Sequence, residues 1–350
     1  MHGGCTQLIR INRESPFRDH GANIESADSP RVHPAVLSVL SCSTEFLRLS
    51  TLVAARAHQA LLTELMVTPK PGLVDQRNSG AHQDMDLQTF LASAQAIAPW
   101  WPRFLQIGYA YAYVPARDFL PLLRPEGVLC EKTMLQATGG VNTHKGAIFS
   151  LGLLCGAAGR LLATGIEVNR ERLCAEVAEI CAGLVERELN GAGATKTAGE
   201  RCFRRHGLTG ARGEAASGFA LVRSIALPAY DRLRLRGVRQ NVALLQVLLH
   251  LLAVNPDTNL VSRGGLAGLE YVRAYAAMLL LEGGALAPDG MEKMQGFDDA
   301  LIARHLSAGG SADLLAVTWF LAQFPKVRSS WPACWQDARL PMAGRWEGPS

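Results

Sequence analysis

Apolar residues recur at helical spacing along most of this chain, and no segment alternates as a β-strand would. Between Thr51 and Met66, for example, apolar side chains stand at Leu52, Ala55 and Leu65. Apolar positions repeating every three or four residues predict an amphipathic helix. The same spacing also predicts helices over residues 87–97, 126–137, 145–162 and 170–189. Runs of β-branched residues with a period of two are too short to predict a sheet. We therefore predict an all-α fold, a single multi-helix bundle in which polar loops between the helices form the site.

Prolines and glycines separate the helices and also mark the ends of the folded part. Residues 1–45 are polar, lack helical periodicity and contain Ser-Pro and His-Pro pairs, so we predict a flexible N-terminal extension. Residues 331–350 are rich in Trp, Pro and Arg and are predicted to be a C-terminal tail. No internal repeat or linker divides residues 46–330, which we interpret as one helical catalytic domain.

The composition indicates which kinds of binding partner the protein can have. Hydrophobic residues make up 48% and charged residues 19%, as in a globular protein. The net charge of +4 is scattered, so a nucleic-acid surface is not expected, although a small anionic substrate would suit it. The first twenty residues lack the apolar core of a signal peptide, and the apolar run Gly146–Gly159 is too short to span a bilayer. We expect a cytoplasmic protein with no membrane partner.

The first polar break between helices concentrates ionisable groups. Prolines on both sides of Lys70 stiffen the loop that carries this cation. His82, Asp84 and Asp86 follow closely, and the Asp-x-Asp spacing suits Mg²⁺, which prefers oxygen ligands. The alternative for Asp86 is that it caps the helix predicted to begin near Leu87.

Two further breaks place glycines at the start of a helix. Gly139 and Gly140 lead through Asn142, His144 and Lys145 into an intensely apolar helix. Free backbone N–H groups at such a start, together with the lysine, predict an anion site. The segment 309–313 also opens with two glycines, but we predict only a helix N-terminus there.

Two other breaks combine cations with carboxylates. Arg212 can bind phosphate in a bidentate manner, and Glu214 stands at the start of the next predicted helix. Asp257, Asn259 and Arg263 follow another apolar helix. The alternatives are a charged first turn at Glu214 and an Asx-capped turn at Asp257. Taken together, the breaks predict a site for a polyphosphate and Mg²⁺.

Five of these segments resemble a known family. TPKPGLVD, GAHQDMD, GGVNTHKG, GARGEAASGF and DTNLVSRGG occur in the order found in the triphosphoribosyl-dephospho-CoA synthases, and the resemblance covers about residues 50–325. That family is all-helical and combines ATP with 3′-dephospho-CoA, releasing adenine. The resemblance implies the product 2′-(5″-triphosphoribosyl)-3′-dephospho-CoA. Indirect partners would be a transferase and the acyl carrier subunit of malonate decarboxylase or citrate lyase, the overall similarity favouring the malonate decarboxylase branch.

The resemblance also implies roles for the polar residues. The 2′-hydroxyl of dephospho-CoA attacks C1 of the ATP ribose, and carboxylates stabilise the positive charge that develops on the sugar. For this chemistry we predict Glu64, Asp75 and Glu214, with His82 or His144 as the proton donor. As Mg²⁺ ligands we predict Asp84, Asp86 and Asp257. For substrate and phosphate binding we predict Lys70, Asn142, Lys145, Arg212, Asn259 and Arg263.

Two other functions fit part of the sequence. A helical metal-dependent phosphohydrolase would also use His and Asp beside cations, but it would release phosphate in place of adenine. A non-enzymatic assembly factor would need no polar cluster and would show no ATP turnover. The sequence is compatible with a homodimer.

Overall fold

The computed structural model describes residues 34–189 and 198–326, with side chains from residue 46 onward and, after the gap, from residue 199. The all-α prediction is confirmed, since these two ranges contain helices and no strand. Apart from residues 34–45 of the first helix, the elements described below belong to the compact unit that starts at Phe46. Most of the predicted N-terminal extension and the whole predicted tail lie outside the described residues.

The helices are numbered in chain order. The first seven are α1 (Pro34–Met66), α2 (Leu87–Ile97), α3 (Trp100–Ala110), α4 (Ala116–Ala137), α5 (Lys145–Ala163), α6 (Arg170–Ile180) and α7 (Leu184–Leu189). The others are α8 (Ala198–His206), α9 (Gly210–Ala216), α10 (Leu227–Leu235), α11 (Gln240–Val254), α12 (Thr258–Leu281), α13 (Gly290–Ile302) and α14 (Gly309–Ala322). A π-helical segment (Val222–Ala226) precedes α10, and a 3₁₀ turn (Gly284–Leu286) precedes α13.

Several helices differ from their predicted bounds for identifiable reasons. The helix predicted from Thr51 begins at Pro34. The long helix predicted over residues 170–189 is divided into α6 and α7, because Gly183 between them adopts a φ of 68°. α12 bends at Gly265, which has a φ of 64° inside the helix.

Helix α5 is the centre of the bundle. Fourteen of its residues, from Ala147 to Leu161, are buried. Among the residues that the structure describes, it is the one helix long and apolar enough to cross a membrane, but 78% of the apolar window is buried inside the protein. The apolar run of the sequence stops at Arg160, but the helix includes this residue and continues to Ala163. Arg160 remains inside because its guanidinium donates to Glu176 and to the Tyr111 carbonyl.

Helices α3 and α5 cross with their backbones in contact. A Cβ added to Gly108 would stand 2.0 Å from the Gly156 carbonyl oxygen, and one added to Gly159 would stand 2.0 Å from that of Leu105. No side chain therefore fits between the two helices at either point. This close approach fixes where α5 lies along α3.

A methyl group added at the crossing of α3 and α5 should destabilise the protein, whereas one added at an open helix position should not. Gly159→Ala should lower the free energy of unfolding by about 1–3 kcal/mol, because the helices must separate to admit the methyl group. Gly296→Ala in α13 is the matched control, since its Cβ would meet no atom within 4 Å. That change should be neutral or stabilise the protein by up to about 1 kcal/mol. Urea unfolding measures both, and equal stability of the two variants would contradict the described crossing.

Candidate active site

Two carboxylates hold the loop that joins α1 to α2. Asp75 Oδ2 accepts hydrogen bonds from the Thr68 hydroxyl and the Lys70 backbone N–H at 2.9 and 2.7 Å. Its Oδ1 accepts from the Arg77 N–H at 2.7 Å. Both oxygens of Asp75, which was predicted to take part in sugar chemistry, are thus used inside the loop. The structure gives this carboxylate a role in fixing the position of Lys70.

The second of these carboxylates, Asp298 in α13, was not anticipated from the sequence. It is fully buried and accepts from the Gly72 N–H at 2.9 Å and from the Asn78 side-chain amide at 2.8 Å. Arg77 also pairs with it at 2.5 Å. Because these partners stand more than 200 residues earlier in the chain, no local pattern marks Asp298 as their anchor.

Lys70 lies in the interior, where it is 1% exposed. Its ammonium donates to Glu64 Oε1 at 2.5 Å and to the Glu64 carbonyl oxygen at 2.9 Å. Glu64, in the last turn of α1, is itself 6% exposed. The prediction that Lys70 binds a triphosphate directly is therefore not supported, because its charge is already paired with a buried carboxylate.

Because the pair of Glu64 and Lys70 is buried, removing one partner should strongly destabilise the protein. Lys70→Met should lower the free energy of unfolding by about 3–5 kcal/mol, because Glu64 is then buried without its partner. Adding Glu64→Gln should recover much of the loss, since the uncompensated charge is removed. Urea unfolding of the two single variants and the double variant gives the coupling energy. Additive effects of the two changes would show that the pair is not formed in solution.

His144 stands at the start of α5 with one ring nitrogen bound and the other free. Its Nδ1 lies 2.7 Å from the Ser93 hydroxyl, which in turn accepts a hydrogen bond from Thr143 at 2.7 Å. Its Nε2 is buried and has no protein partner. Burial, followed by the positive charge of Lys70 and by His58, lowers the pKa of His144 to about 3. The imidazole is therefore neutral at physiological pH and cannot donate a proton as an imidazolium.

His82 lies in a separate group on the other side of the loop. Its Nδ1 accepts from Arg263 at 3.1 Å, and its Nε2 lies 2.9 Å from the Ser307 hydroxyl. Burial and the charge of Arg263 lower the pKa of His82, although Asp84 opposes them. Arg263 also donates to the carbonyl oxygens of Ala81 and His305. Arg263 is therefore used in this structure to connect the loop to the start of α14.

The N-terminal ends of α5, α12 and α14 are capped by carboxylates. Asp257 accepts from the Asn259 N–H at 2.9 Å and from the backbone and hydroxyl of Ser311 at 2.7 and 2.9 Å. Asp313, in the first turns of α14, accepts a backbone hydrogen bond from Ala147 at the start of α5. A Cβ added to Gly146 would stand 1.9 Å from Asp313 Oδ2, so only a glycine admits this carboxylate.

At the predicted anion site at the start of α5, some of the backbone N–H groups donate to acceptors of the protein itself. Asn142 Oδ1 accepts from the Lys145 N–H at 3.2 Å, and Asp313 accepts from the next N–H but one, that of Ala147. Two of the N–H groups expected to face a phosphate thus already have acceptors.

Asp313 belongs to an acidic cluster with Glu64 and Asp257. Burial raises its pKa well above the usual value of 3.8, and the negative charges of Glu64 and Asp257 raise it further. Burial likewise raises the pKa of Asp257. Asp313 keeps part of its surface open to solvent, unlike Asp257. Proton transfer, or the stabilisation of a cation, is the chemistry that such a carboxyl group supports.

Glu214 in α9 is a second carboxyl group with a shifted pKa. Burial raises its pKa to about 7, although the Leu221 N–H and the charge of Arg223 both act to lower it. The Leu221 N–H donates to Glu214 Oε2 at 3.3 Å, across the turn at Gly218 and Phe219. A pKa near 7 is suited to general acid–base catalysis at physiological pH.

The three aspartates predicted to hold Mg²⁺ are not brought together. Asp86 caps α2 by accepting from the Thr89 N–H at 2.8 Å, which is the alternative considered for it. Asp84 is exposed beside His82, at 3.7 Å, and Asp257 is used in the caps described above. Among residues 34–189 and 198–326, no three His, Cys, Asp or Glu side chains are grouped so that they could hold a metal ion.

A pocket of about 550 Å³ lies against the outer side of the α5 start. Asn142, Lys145 and Arg212, three of the residues predicted to bind substrate, line it. Lys145 pairs with Glu131 at 2.8 Å. Gly146 lines the pocket as well and touches Asp313 on its other side. The pocket and the acidic cluster therefore adjoin each other across one glycine.

Asn259 and Arg212, both predicted to bind substrate, have protein neighbours in the structure. Asn259 is exposed, and its side-chain amide lies against Gly309 at the start of α14. Arg212 Nε donates to Glu188 Oε2 at 2.8 Å, and Arg124 pairs with the other oxygen of the same carboxylate. The structure thus brings Glu64, Lys70, Asp257 and the two pocket residues Asn142 and Lys145 to one end of the bundle, while His82 and Arg263 form their own group.

Comparison with known proteins gives a consistent result. The sequence model of the ATP:dephospho-CoA triphosphoribosyl transferase family matches residues 50–331. No solved structure matches the chain.

Curated relatives cover most of the chain. A 2-(5″-triphosphoribosyl)-3′-dephosphocoenzyme-A synthase of Klebsiella pneumoniae is 56% identical over 274 residues, which is 78% of this chain and 91% of the relative. A synthase of the same name from Escherichia fergusonii is 55% identical over 277 residues, again 78% and 91% of the two chains. A probable synthase from Pectobacterium carotovorum is 54% identical over 270 residues, 77% and 88% of the two chains. The chain therefore belongs to the ATP:dephospho-CoA triphosphoribosyl transferase family and is a transferase.

Proposed function

We propose that this enzyme transfers the 5-triphosphoribosyl group of ATP to the 2′-hydroxyl of 3′-dephospho-CoA, with release of adenine. The observation that supports this most directly is the acidic cluster of Glu64, Asp257 and Asp313 at the ends of three helices. The bond between ribose C1 and adenine breaks as the bond from the acceptor oxygen forms, so positive charge develops on the ribose. Fixed carboxylates lower the free energy of such a transition state.

The proposed reaction requires two proton transfers. The acceptor hydroxyl loses a proton, and the departing adenine gains one. We assign the first transfer to Glu214, because its pKa of about 7 leaves much of it as carboxylate at physiological pH. We assign the second to Asp313, because burial and the neighbouring carboxylates raise its pKa and so favour its protonated form. This replaces His82 and His144 as donors, since the pKa values of both are lowered.

The intact triphosphate calls for cations that do not activate it for hydrolysis. Arg212 lines the pocket beside the cluster and pairs with Glu188, which a phosphate can displace. The Mg²⁺ requirement remains part of this proposal, with the ion held mainly by the phosphates of ATP. The predicted aspartates do not form a set that fits Mg²⁺, and we assign no step to a metal held by the protein.

The destination of the product is also a proposal. We propose that a separate phosphoribosyl-dephospho-CoA transferase passes the product to the acyl carrier subunit of malonate decarboxylase, with citrate lyase as the other candidate. The overall similarity of the five segments supports the first. A cytoplasmic location would suit enzymes that use ATP and a coenzyme-A precursor, and the five described cysteines are free and buried.

The proposed reaction is tested by its products. Incubation with ATP and 3′-dephospho-CoA should yield adenine and a conjugate that retains all three phosphates, measured by chromatography and mass spectrometry. Omission of dephospho-CoA is the control and should suppress adenine release. Free phosphate or ADP in place of adenine would favour the phosphohydrolase, and no ATP turnover would favour the assembly factor.

Asp313→Asn tests the role of the acidic cluster. We expect kcat/KM to fall by about 10²- to 10⁴-fold, because the amide cannot supply a proton. Thermal stability should move the opposite way. When folding raises the pKa of a carboxyl group, the folded protein becomes less stable as the pH rises through that pKa. The Asn variant has no group that ionises there, so it does not lose this stability. The advantage in Tm of the variant should therefore grow as the pH rises above about 4.

The matched control is Asp118→Asn, which changes an exposed carboxylate at the start of α4. It should leave both kcat/KM and the pH dependence of Tm unchanged. Full activity of Asp313→Asn would exclude Asp313 as the proton donor, and a stability difference independent of pH would show that its pKa is not raised.

A further inference from the structure

The pocket beside α5 is a groove between two antiparallel helices. Leu123, Gly127 and Glu131 recur on one face of α4, and Phe149 and Leu153 recur on the facing side of α5. Residues three or four apart lie on the same side of a helix, so these side chains form two continuous walls. From Lys145 to Leu153 the α5 wall runs for about 12 Å. The groove is thus elongated.

Glycines keep this groove open. Gly127 on α4 and Gly152 on α5 both line it. A Cβ added to Gly127 would meet no atom within 4 Å, and one added to Gly152 would only touch the Phe104 ring at 3.4 Å. The volume of about 550 Å³ is therefore space that the two helices leave unfilled, in the size range of small-molecule sites.

The chemistry of the walls changes along the groove. Its sides are formed by Phe104, Leu120, Leu123, Ile148, Phe149 and Leu153. At the α5 start, Asn142 and Lys145 supply an amide and a cation, and Gly146 adjoins Asp313 of the acidic cluster. A fitting ligand carries an anionic group near the reacting atoms and continues into a long, uncharged arm.

We propose that this groove binds the pantetheine arm of the acceptor 3′-dephospho-CoA, with the diphosphate of the acceptor beside Lys145. The assignment rests on the proposed function. Of the two substrates, only dephospho-CoA has such an arm beyond its diphosphate, whereas ATP ends at its phosphates. Arg124, Glu188 and Arg212 also line the groove, and the two amides and the hydroxyl of pantetheine give such side chains hydrogen-bonding partners.

Gly127→Phe tests the assignment, because the new ring fills the groove without displacing protein atoms. The KM for dephospho-CoA should rise by about 10- to 100-fold, as expected from the loss of arm contacts, while the KM for ATP stays unchanged. ADP serves as the second acceptor, since it has the same 2′-hydroxyl and diphosphate but no arm. Its weaker KM should be the same for the parent and the variant.

Two controls separate groove filling from damage to the fold. Gly296→Phe adds the same ring at an open, exposed helix position in α13 and should behave like the parent. Val128→Glu places a charge on the groove wall at an exposed position, and it should raise the KM for dephospho-CoA even if Gly127→Phe fails to fold. Thermal unfolding of each variant establishes that it is folded.

The remaining outcomes are distinguishable. An unchanged KM for dephospho-CoA in folded Gly127→Phe, a change confined to kcat, or a rise in the KM for ATP would overturn the assignment. If the parent releases no adenine, the proposed function fails instead. In that case calorimetric titration of dephospho-CoA alone against parent and Gly127→Phe still decides the groove: weaker binding to the variant supports it, and equal binding or none to the parent overturns it.

Discussion

The buried ion pair between Glu64 and Lys70 is the interaction on which the site depends. Burying an ion costs several kcal/mol unless a partner of opposite charge lies beside it. Here Glu64, Asp257 and Asp313 occupy one region of the protein, and Lys70 brings its amino group to Glu64. The ammonium is held in turn by a loop that Asp75 and Asp298 fix through backbone hydrogen bonds. The acidic cluster therefore exists because a distant loop delivers a cation to it.

The helical architecture was accessible from the sequence because its signal is local. The bounds predicted for α2 coincide with those observed, and α5 begins at the predicted Lys145. The errors fall where backbone conformation overrides side-chain periodicity. α4 begins at Ala116, ten residues before the predicted start, and includes Pro121 and Pro125. Burial of Phe119, Leu120 and Leu123 outweighs the hydrogen bonds that these prolines remove.

The polar breaks were also recognisable, but the partners of their residues were not. Asp86 could have been a ligand or a cap, and only the position of Thr89 in space decides for the cap. Lys70 looked like an exposed cation between prolines, yet it turns inward to Glu64. The segment that contains Asp313 was interpreted only as a helix start, and Asp298 was not anticipated, because the partners Ala147 and Gly72 lie more than 160 residues away along the chain. The two glycines that open α14 were the available signal, since a helix start that tolerates no side chain often adjoins another polar group.

The glycine crossing of α3 and α5 has a consequence for how precisely two substrates can be aligned. One glycine of α5, Gly146, separates the groove from the acidic cluster, so the position of this helix affects both reactants in the proposed reaction. Side chains between helices can change rotamer and let the helices slide, whereas a carbonyl oxygen against a glycine Cα has no such freedom. The acidic cluster stands on α1, α12 and α14, so a slide of α5 would change the distance between the cluster and the α5 wall of the groove. By fixing α5 along α3, the glycine crossing therefore helps to hold the two halves of the site at one separation.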